Sequence, residues 1–223
     1  MCNKKKILEF IGGAELTNTL LVTEDDMMDN GEAPDGQLVA RVCQGDLDAL
    51  GELYKRYRSQ VFRTALAITS NRETAEDILQ DVFLKLHRYA ERIDIARPLA
   101  PWLYRVTANL CYTQISRQSR WLAVLEDAVE NAVAPPARTC PERQFERREL
   151  QKIVQQAIDL LRPNQKIVIV LYYLADLSLK EIAYILEVPE GTVKSRLYYG
   201  RENLRKKLAS SRGLSPEVTY EFT

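Results

Sequence analysis

An all-α fold is what this sequence predicts, and three observations carry it. Apolar residues recur at steps of three and four from Asp35 onward, alternating β-branched runs are scarce, and only 9 Gly occur in 223 residues, a pattern of helices rather than strands. With 46% hydrophobic and 28% charged residues, the chain is long enough for two small units, each with its own core. Its formal net charge of zero argues against strong, sequence-blind phosphate binding by the chain as a whole.

Residues 1–34 are the least foldable stretch. Glu24, Asp25, Asp26, Asp29 and Glu32 are unopposed by any basic residue between Thr23 and Pro34, the mark of a mobile acidic N-terminal arm. Lys4, Lys5 and Lys6 precede Ile7 and Leu8, but Glu9, Gly12, Gly13 and Glu15 interrupt the apolar run that a secretory leader needs. No stretch is long and apolar enough to predict a membrane span, so no membrane insertion is expected.

Residues 35–120 read as a helical domain. Its first helix carries Leu38, Val39 and Val42, and its second carries Leu50, Leu53, Tyr54, Tyr57, Val61 and Phe62. A third is expected from Ser70 to Arg88, with Ser70 and Glu73 as a capping pair and Ala75, Ile78, Leu79, Val82 and Leu86 as its inward seam. Its other face presents Asp77, Gln80, Asp81, Leu84 and Arg88, an exposed leucine between carboxylates that suits a docking partner. The loop from Glu91 to Pro101 then feeds an aromatic-rich helix. There Trp102, Leu103, Val106 and Leu110 are expected to face inward, leaving Tyr104, Arg105, Asn109, Thr113, Gln114 and Arg117 outside. Aromatic, amide and guanidinium groups of this kind can stack on and hydrogen-bond unpaired bases.

Residues 121–145, with Pro135, Pro136 and Pro141, read as a flexible linker. Its extended reach of roughly 80 Å spans a couple of ~34 Å turns of duplex. Residues 146–210 form the second domain, and 211–223 a tail. Within that domain Ser178 and Glu181 have the S-x-x-E spacing of a capping box, so a helix begins near Leu179 and carries Ile182, Ala183 and Leu186. Val188 and Pro189 end it. After the turn Val193, Leu197, Gly200, Leu204 and Leu208 make one buried seam. Beside it lie Thr192, Lys194, Ser195, Arg196, Tyr198, Tyr199 and Arg201, a set able to donate to phosphates and base edges in a major groove. From Ser178 to Arg212 there are eight Lys or Arg against four Asp or Glu, so positive charge is concentrated on this segment.

Cys2, Cys43, Cys111 and Cys140 are too widely spaced for a metal or redox motif and read as reduced thiols, as in a cytoplasmic protein. His87 is the sole histidine, which limits any histidine-based metal site or triad. No cofactor is expected. Asp77 and Asp81 lack a neighbouring histidine or glycine-rich phosphate loop, so the chain does not read as an enzyme.

Three blocks in one order carry a resemblance: residues 74–84 from Thr74 to Leu84; Trp102-Leu103-Tyr104-Arg105 with Asn109-Leu110; and Leu177 to Ala183 followed by Gly191 to Leu197. Over about residues 35–210 the chain closely resembles bacterial sigma factors of the extracytoplasmic-function group. The resemblance implies a two-domain factor that binds core RNA polymerase and directs it to promoter DNA. By position, it implies that Asp77, Gln80, Asp81 and Leu84 dock on the clamp helices of the largest subunit. The loop from Ile93 to Pro98, including Arg97, together with Tyr104, Arg105 and Asn109, would engage a melted −10 element. The helix from Glu190, through Thr192, Lys194, Ser195, Arg196, Tyr198, Tyr199 and Arg201, would read a −35 duplex. The segment Leu161-Arg162-Pro163 and the helix after it would hold the flap of the other large subunit, and an anti-sigma factor is an expected partner. The chain departs from the family pattern at Tyr199, Gly200, Ala108 and Thr113, positions that bear on −35 preference and on melting. The alternative is a self-sufficient helix-turn-helix regulator with residues 35–120 as its dimerisation or effector domain.

Overall fold

The computed structural model describes residues 33–126 and 153–210, and of residues 118–126 and 209–210 the backbone alone. The acidic arm before residue 33, linker residues 127–145 and the tail after residue 210 lie outside these ranges. Among the described residues every regular element is helical: α1 Asp35–Cys43, α2 Leu47–Thr69, α3 Arg72–Tyr89, a 3₁₀ turn Ala90–Arg92, α4 Ala100–Glu126, α5 (helical residues 153–159), α6 Pro163–Tyr173, α7 Leu179–Leu186 and α8 Glu190–Ser210.

Capping chemistry sets the boundaries of the first unit. The Asp46 carboxylate accepts from the amides of Asp48 and Ala49 at 2.9 and 3.1 Å, starting α2, and is paired with Arg41 at 2.8 Å. These bonds hold its pKa below the ordinary aspartate value, the amide of Ala49 first and Arg41 next. At the other end the expected Ser70–Glu73 capping pair is replaced by a sharper device. Ser70 takes the left-handed conformation (φ 57°) as the C-cap of α2, and Asn71 caps α3 by accepting from the Thr74 amide at 2.8 Å. Asparagine suits an N-cap as well as serine does, and a left-handed residue is the usual way out of a helix.

The core of this unit is built by Leu38, Leu53, Ile68, Ile78, Val82, Leu86, Leu99 and Leu103, all at most 2% exposed. Tyr54 meets Phe83 edge-on at 4.9 Å between centroids. On α4 the inward stripe is rotated from the expected one. Leu103, Tyr104, Thr107, Ala108 and Cys111 are buried, whereas Trp102, Val106 and Leu110 are half-buried. Helix α4 also continues to Glu126, past the expected domain boundary at residue 120.

Gly36 shows how α1 positions the loop before α4. A methyl group there would collide with the carbonyl oxygen of Ile95, so only glycine lets the helix lie against this backbone. Gly36→Ala is expected to destabilise the chain by about 1–3 kcal/mol, as overpacking generally does, and chemical denaturation checks it.

In the second unit α6 is apolar on nearly every side: Ile167, Val168, Ile169, Val170, Leu171 and Tyr173 are all buried. Pro163 opens it at a position that needs no N–H. Helix α7 begins at Leu179 with a complete capping box: the Glu181 amide donates to Ser178 Oγ at 3.3 Å, and the Ser178 amide donates to Glu181 Oε2 at 2.7 Å. Ser178→Ala should therefore cost about 1 kcal/mol, read as a lower midpoint in denaturant. Glu187, left-handed at φ 53°, and Pro189 turn the chain into α8. The seam of Val193, Leu197, Gly200, Leu204 and Leu208 is buried throughout. At Gly200 an added Cβ would stand 3.0 Å from Ile169 Cγ1, so α8 lies close against α6.

The two units pack on each other. Their buried residues form one apolar cluster. A polar group sits at the boundary, where Lys166 Nζ binds Asp159 at 2.6 Å and reaches Ser70 Oγ at 3.3 Å. The lysine side chain is 6% exposed, and a buried ammonium is tolerable only with such partners.

Candidate nucleic-acid interface

Helix α8 is held by one face and offers the other. Lys194, Ser195, Tyr198 and Tyr199 are exposed, and Thr192 and Arg196 are half-exposed. Lys194 Nζ pairs with Glu190 at 2.9 Å, an exposed contact that solvent weakens and a phosphate or base edge can replace. Ser195 Oγ donates to the Thr192 carbonyl at 2.9 Å. Its proton is thereby committed and its lone pairs point outward, which suits acceptance from the amino group of cytosine or adenine. Tyr198 and Tyr199 meet edge-on at 5.4 Å between centroids and remain 65% and 58% exposed, unusual for large rings with no partner to cover them.

Arg201 is placed differently. Its guanidinium lies over the rings of Tyr172 and Tyr173, 5.3 and 5.5 Å from their centroids, and its Nε is buried without a hydrogen-bond acceptor. It braces α8 against α6 and does not extend the exposed row.

On the first unit Asp77, Gln80, Asp81 and Leu84 all face solvent along one side of α3, Leu84 at 62% exposure. Ala75, Ile78, Val82 and Leu86 on the opposite side fix that orientation. Ile93 is half-buried beside the 3₁₀ turn, Arg97 is exposed, and Asn109 projects from α4. Tyr104 requires a correction. Expected outside, it is 7% exposed, and its hydroxyl is bonded by the amide of Gln60. Burial raises its pKa, and in this arrangement the ring is enclosed and not open to a base. The signal was the period of α4: with Leu103, Ala108 and Cys111 inward, position 104 falls on the same side.

Arg105 is half-buried and fully engaged. It donates to the carbonyls of Ile185 and Tyr184 at 3.2 and 2.9 Å and to Glu187 at 2.7 Å. Tyr184 and Glu187 were not singled out in the sequence. An exposed tyrosine beside the apolar residues Ile182, Ala183, Ile185 and Leu186 of a short helix was the available clue. Cys111, buried on α4, has its pKa pushed up to about 12 by burial, partly offset by Lys166, so its thiol is unreactive in the folded chain.

Comparison with known proteins agrees with this architecture. Residues 53–120 match the Sigma-70 region 2 model, and residues 151–204 match that of Sigma-70, region 4. Two such units in this order define the sigma-70 class of transcription factors. The chain is 32% identical over 182 residues to the ECF RNA polymerase sigma factor SigW of Bacillus subtilis (strain 168), spanning 76% of this chain and 94% of that one. It belongs to the ECF RNA polymerase sigma factors. Among solved structures, CnrH in complex with the cytosolic domain of CnrY has TM-score 0.58 at 24% identity, covering 80% of this chain and 100% of that chain. The sigma factor RpoE in complex with the anti-sigma factor NepR from Bartonella quintana has TM-score 0.53 at 22% identity, covering 73% and 98%. At these identities the likeness is one of fold. No helix among the described residues is long and apolar enough to cross a membrane.

Proposed function

We propose that this sigma factor divides promoter recognition between its units and leaves the chemistry to the polymerase, so that it is itself no enzyme. Residues 35–120 dock on core RNA polymerase through Asp77, Gln80, Asp81 and Leu84. They hold the melted −10 strand through the Ile93–Pro98 loop, Arg97, Arg105 and Asn109. Residues 146–210 read the −35 duplex through Thr192, Lys194, Ser195, Arg196, Tyr198 and Tyr199. The observation that carries the reading is the two-faced helix α8: a continuous buried seam fixes its rotation, and a row of hydroxyl, ammonium, guanidinium and phenol groups is left outside. A helix so held fits the major groove.

The clamp helices and flap of the two large polymerase subunits, promoter DNA and an anti-sigma factor are the partners, and the setting is the cytoplasm. The exposed leucine between carboxylates on α3 supports the protein docking. A solved structure of the same fold, RpoE in complex with the anti-sigma factor NepR, supports an anti-sigma partner for this chain. Footprinting tests the division of labour. Holoenzyme is expected to protect a −35 element and open a −10 element, while the free chain protects neither. Tight, sequence-specific protection by the free chain would overturn the reading in favour of a self-sufficient regulator.

A further inference from the structure

Burial of Leu103, Tyr104, Thr107, Ala108 and Cys111 fixes the rotation of α4 about its axis. That rotation leaves Arg105, Asn109 and Tyr112, at steps of four and three, on one side of the helix. Asn109 is exposed, and Tyr112 is 42% exposed. Trp102 is half-buried and Tyr104 enclosed, so among the described side chains of α4 Tyr112 is the aromatic ring that opens to solvent. Residues three apart are neighbours on a helix, and helical side chains lean toward its N-terminus. The ring of a tyrosine at 112 is therefore directed to the turn that carries Asn109. The Thr113 hydroxyl donates to the Asn109 carbonyl at 2.9 Å, which commits it to the backbone. Among the described residues no hydrogen bond engages the Asn109 side chain, so its amide keeps two donors and an acceptor for a partner. An open ring beside such an amide can hold an unpaired base, the ring taking its flat face and the amide its edge. A duplex offers neither, because its bases are stacked and paired.

We propose that Tyr112 stacks on an unpaired base of the melted −10 strand while Asn109 binds the edge of that base. This rests on the −10 role proposed above for the first unit, and adds to it a residue and a division of labour. Every base has a π-face, so stacking is blind to sequence. Tyr112 holds the strand open whatever the base, and Asn109 chooses the base.

Holoenzyme made from core RNA polymerase and the full chain tests the pair. Its affinity is measured for a single strand carrying the −10 element, for copies with one abasic position each, and for copies with each of the four bases there. Tyr112→Leu keeps apolar bulk on α4 and loses the ring. It is expected to weaken binding about tenfold, by similar factors for all four bases. Tyr112→Phe, which keeps the ring, should bind within about twofold of the parent. At one abasic position the parent and Tyr112→Leu should bind alike, because the base that the ring covers is gone. Asn109→Ala should change which base is preferred at that same position. Helical content and core association should stay those of the parent in each variant. If Tyr112→Leu binds every strand as the parent does while Asn109→Ala alters binding, the stacking is overturned and the −10 role of the unit stands. A Tyr112→Leu deficit that persists at every abasic position, or an equal deficit in Tyr112→Phe, also overturns the stacking. Unchanged binding in both Tyr112→Leu and Asn109→Ala overturns the −10 role of this helix as well.

Discussion

Asp81→Arg is expected to weaken association with core RNA polymerase by about tenfold or more while leaving promoter choice unchanged. Asp81 stands on the solvent face of α3 with Asp77, Gln80 and Leu84, clear of the buried seam, so the substitution leaves the packing intact. Placing a cation among the carboxylates of this face reverses the charge it offers a partner, and a partner matched to those carboxylates would then meet a like charge, which costs several kcal/mol when forced together. Solvent at the rim reduces that, and tenfold corresponds to about 1.4 kcal/mol. Titration of labelled chain with core enzyme gives the association constant, and an unchanged constant would remove α3 from the docking surface. Leu84→Ala should act in the same direction, because an apolar side chain 62% exposed in the free chain has area to bury on docking.

Lys194→Ala with Ser195→Ala should change which −35 sequences are preferred and leave polymerase association as it was. Each side chain stands on the open face of α8, and each lost base-edge contact removes about 1–3 kcal/mol of discrimination. Loss of Ser195 should be felt most where the hydroxyl accepts from a base amino group, since its own proton is directed to Thr192. Selection from a library of −35 variants distinguishes the two kinds of contact. A changed preference marks base readout, whereas uniform weakening across all variants would mean that these residues grip the backbone.

Most of the helical framework could be read from the sequence because it depends on local patterns. The Ser178–Glu181 capping box set the start of α7 correctly, and the seam from Val193 to Leu208 lies buried as its period required. Local patterns failed where two solutions compete over a few residues. Ser70 has the chemistry of an N-cap, but the chain needed a left-handed exit from α2, which moved the cap to Asn71. On α4 the aromatic cluster suggested an outward Tyr104, yet the gap between helices took that ring and left Trp102 half-buried. Arg201 has the composition of a phosphate ligand and a position against Tyr172 and Tyr173. The contact of Arg105 with α7 joins residues about eighty positions apart. No periodicity within either unit records it. It follows from the carbonyls that a helix end leaves without intrahelical donors, which become meaningful only once that end is seen in place.

Transcription in vitro on a library of randomised promoters, with core RNA polymerase in the presence and absence of the chain, bears most directly on the whole account. Added chain should select a subset of templates sharing a −10 and a −35 element at fixed spacing, and Asp81→Arg should lower initiation from that subset without changing which templates belong to it. Initiation from the same templates at the same rates with and without the chain would contradict it.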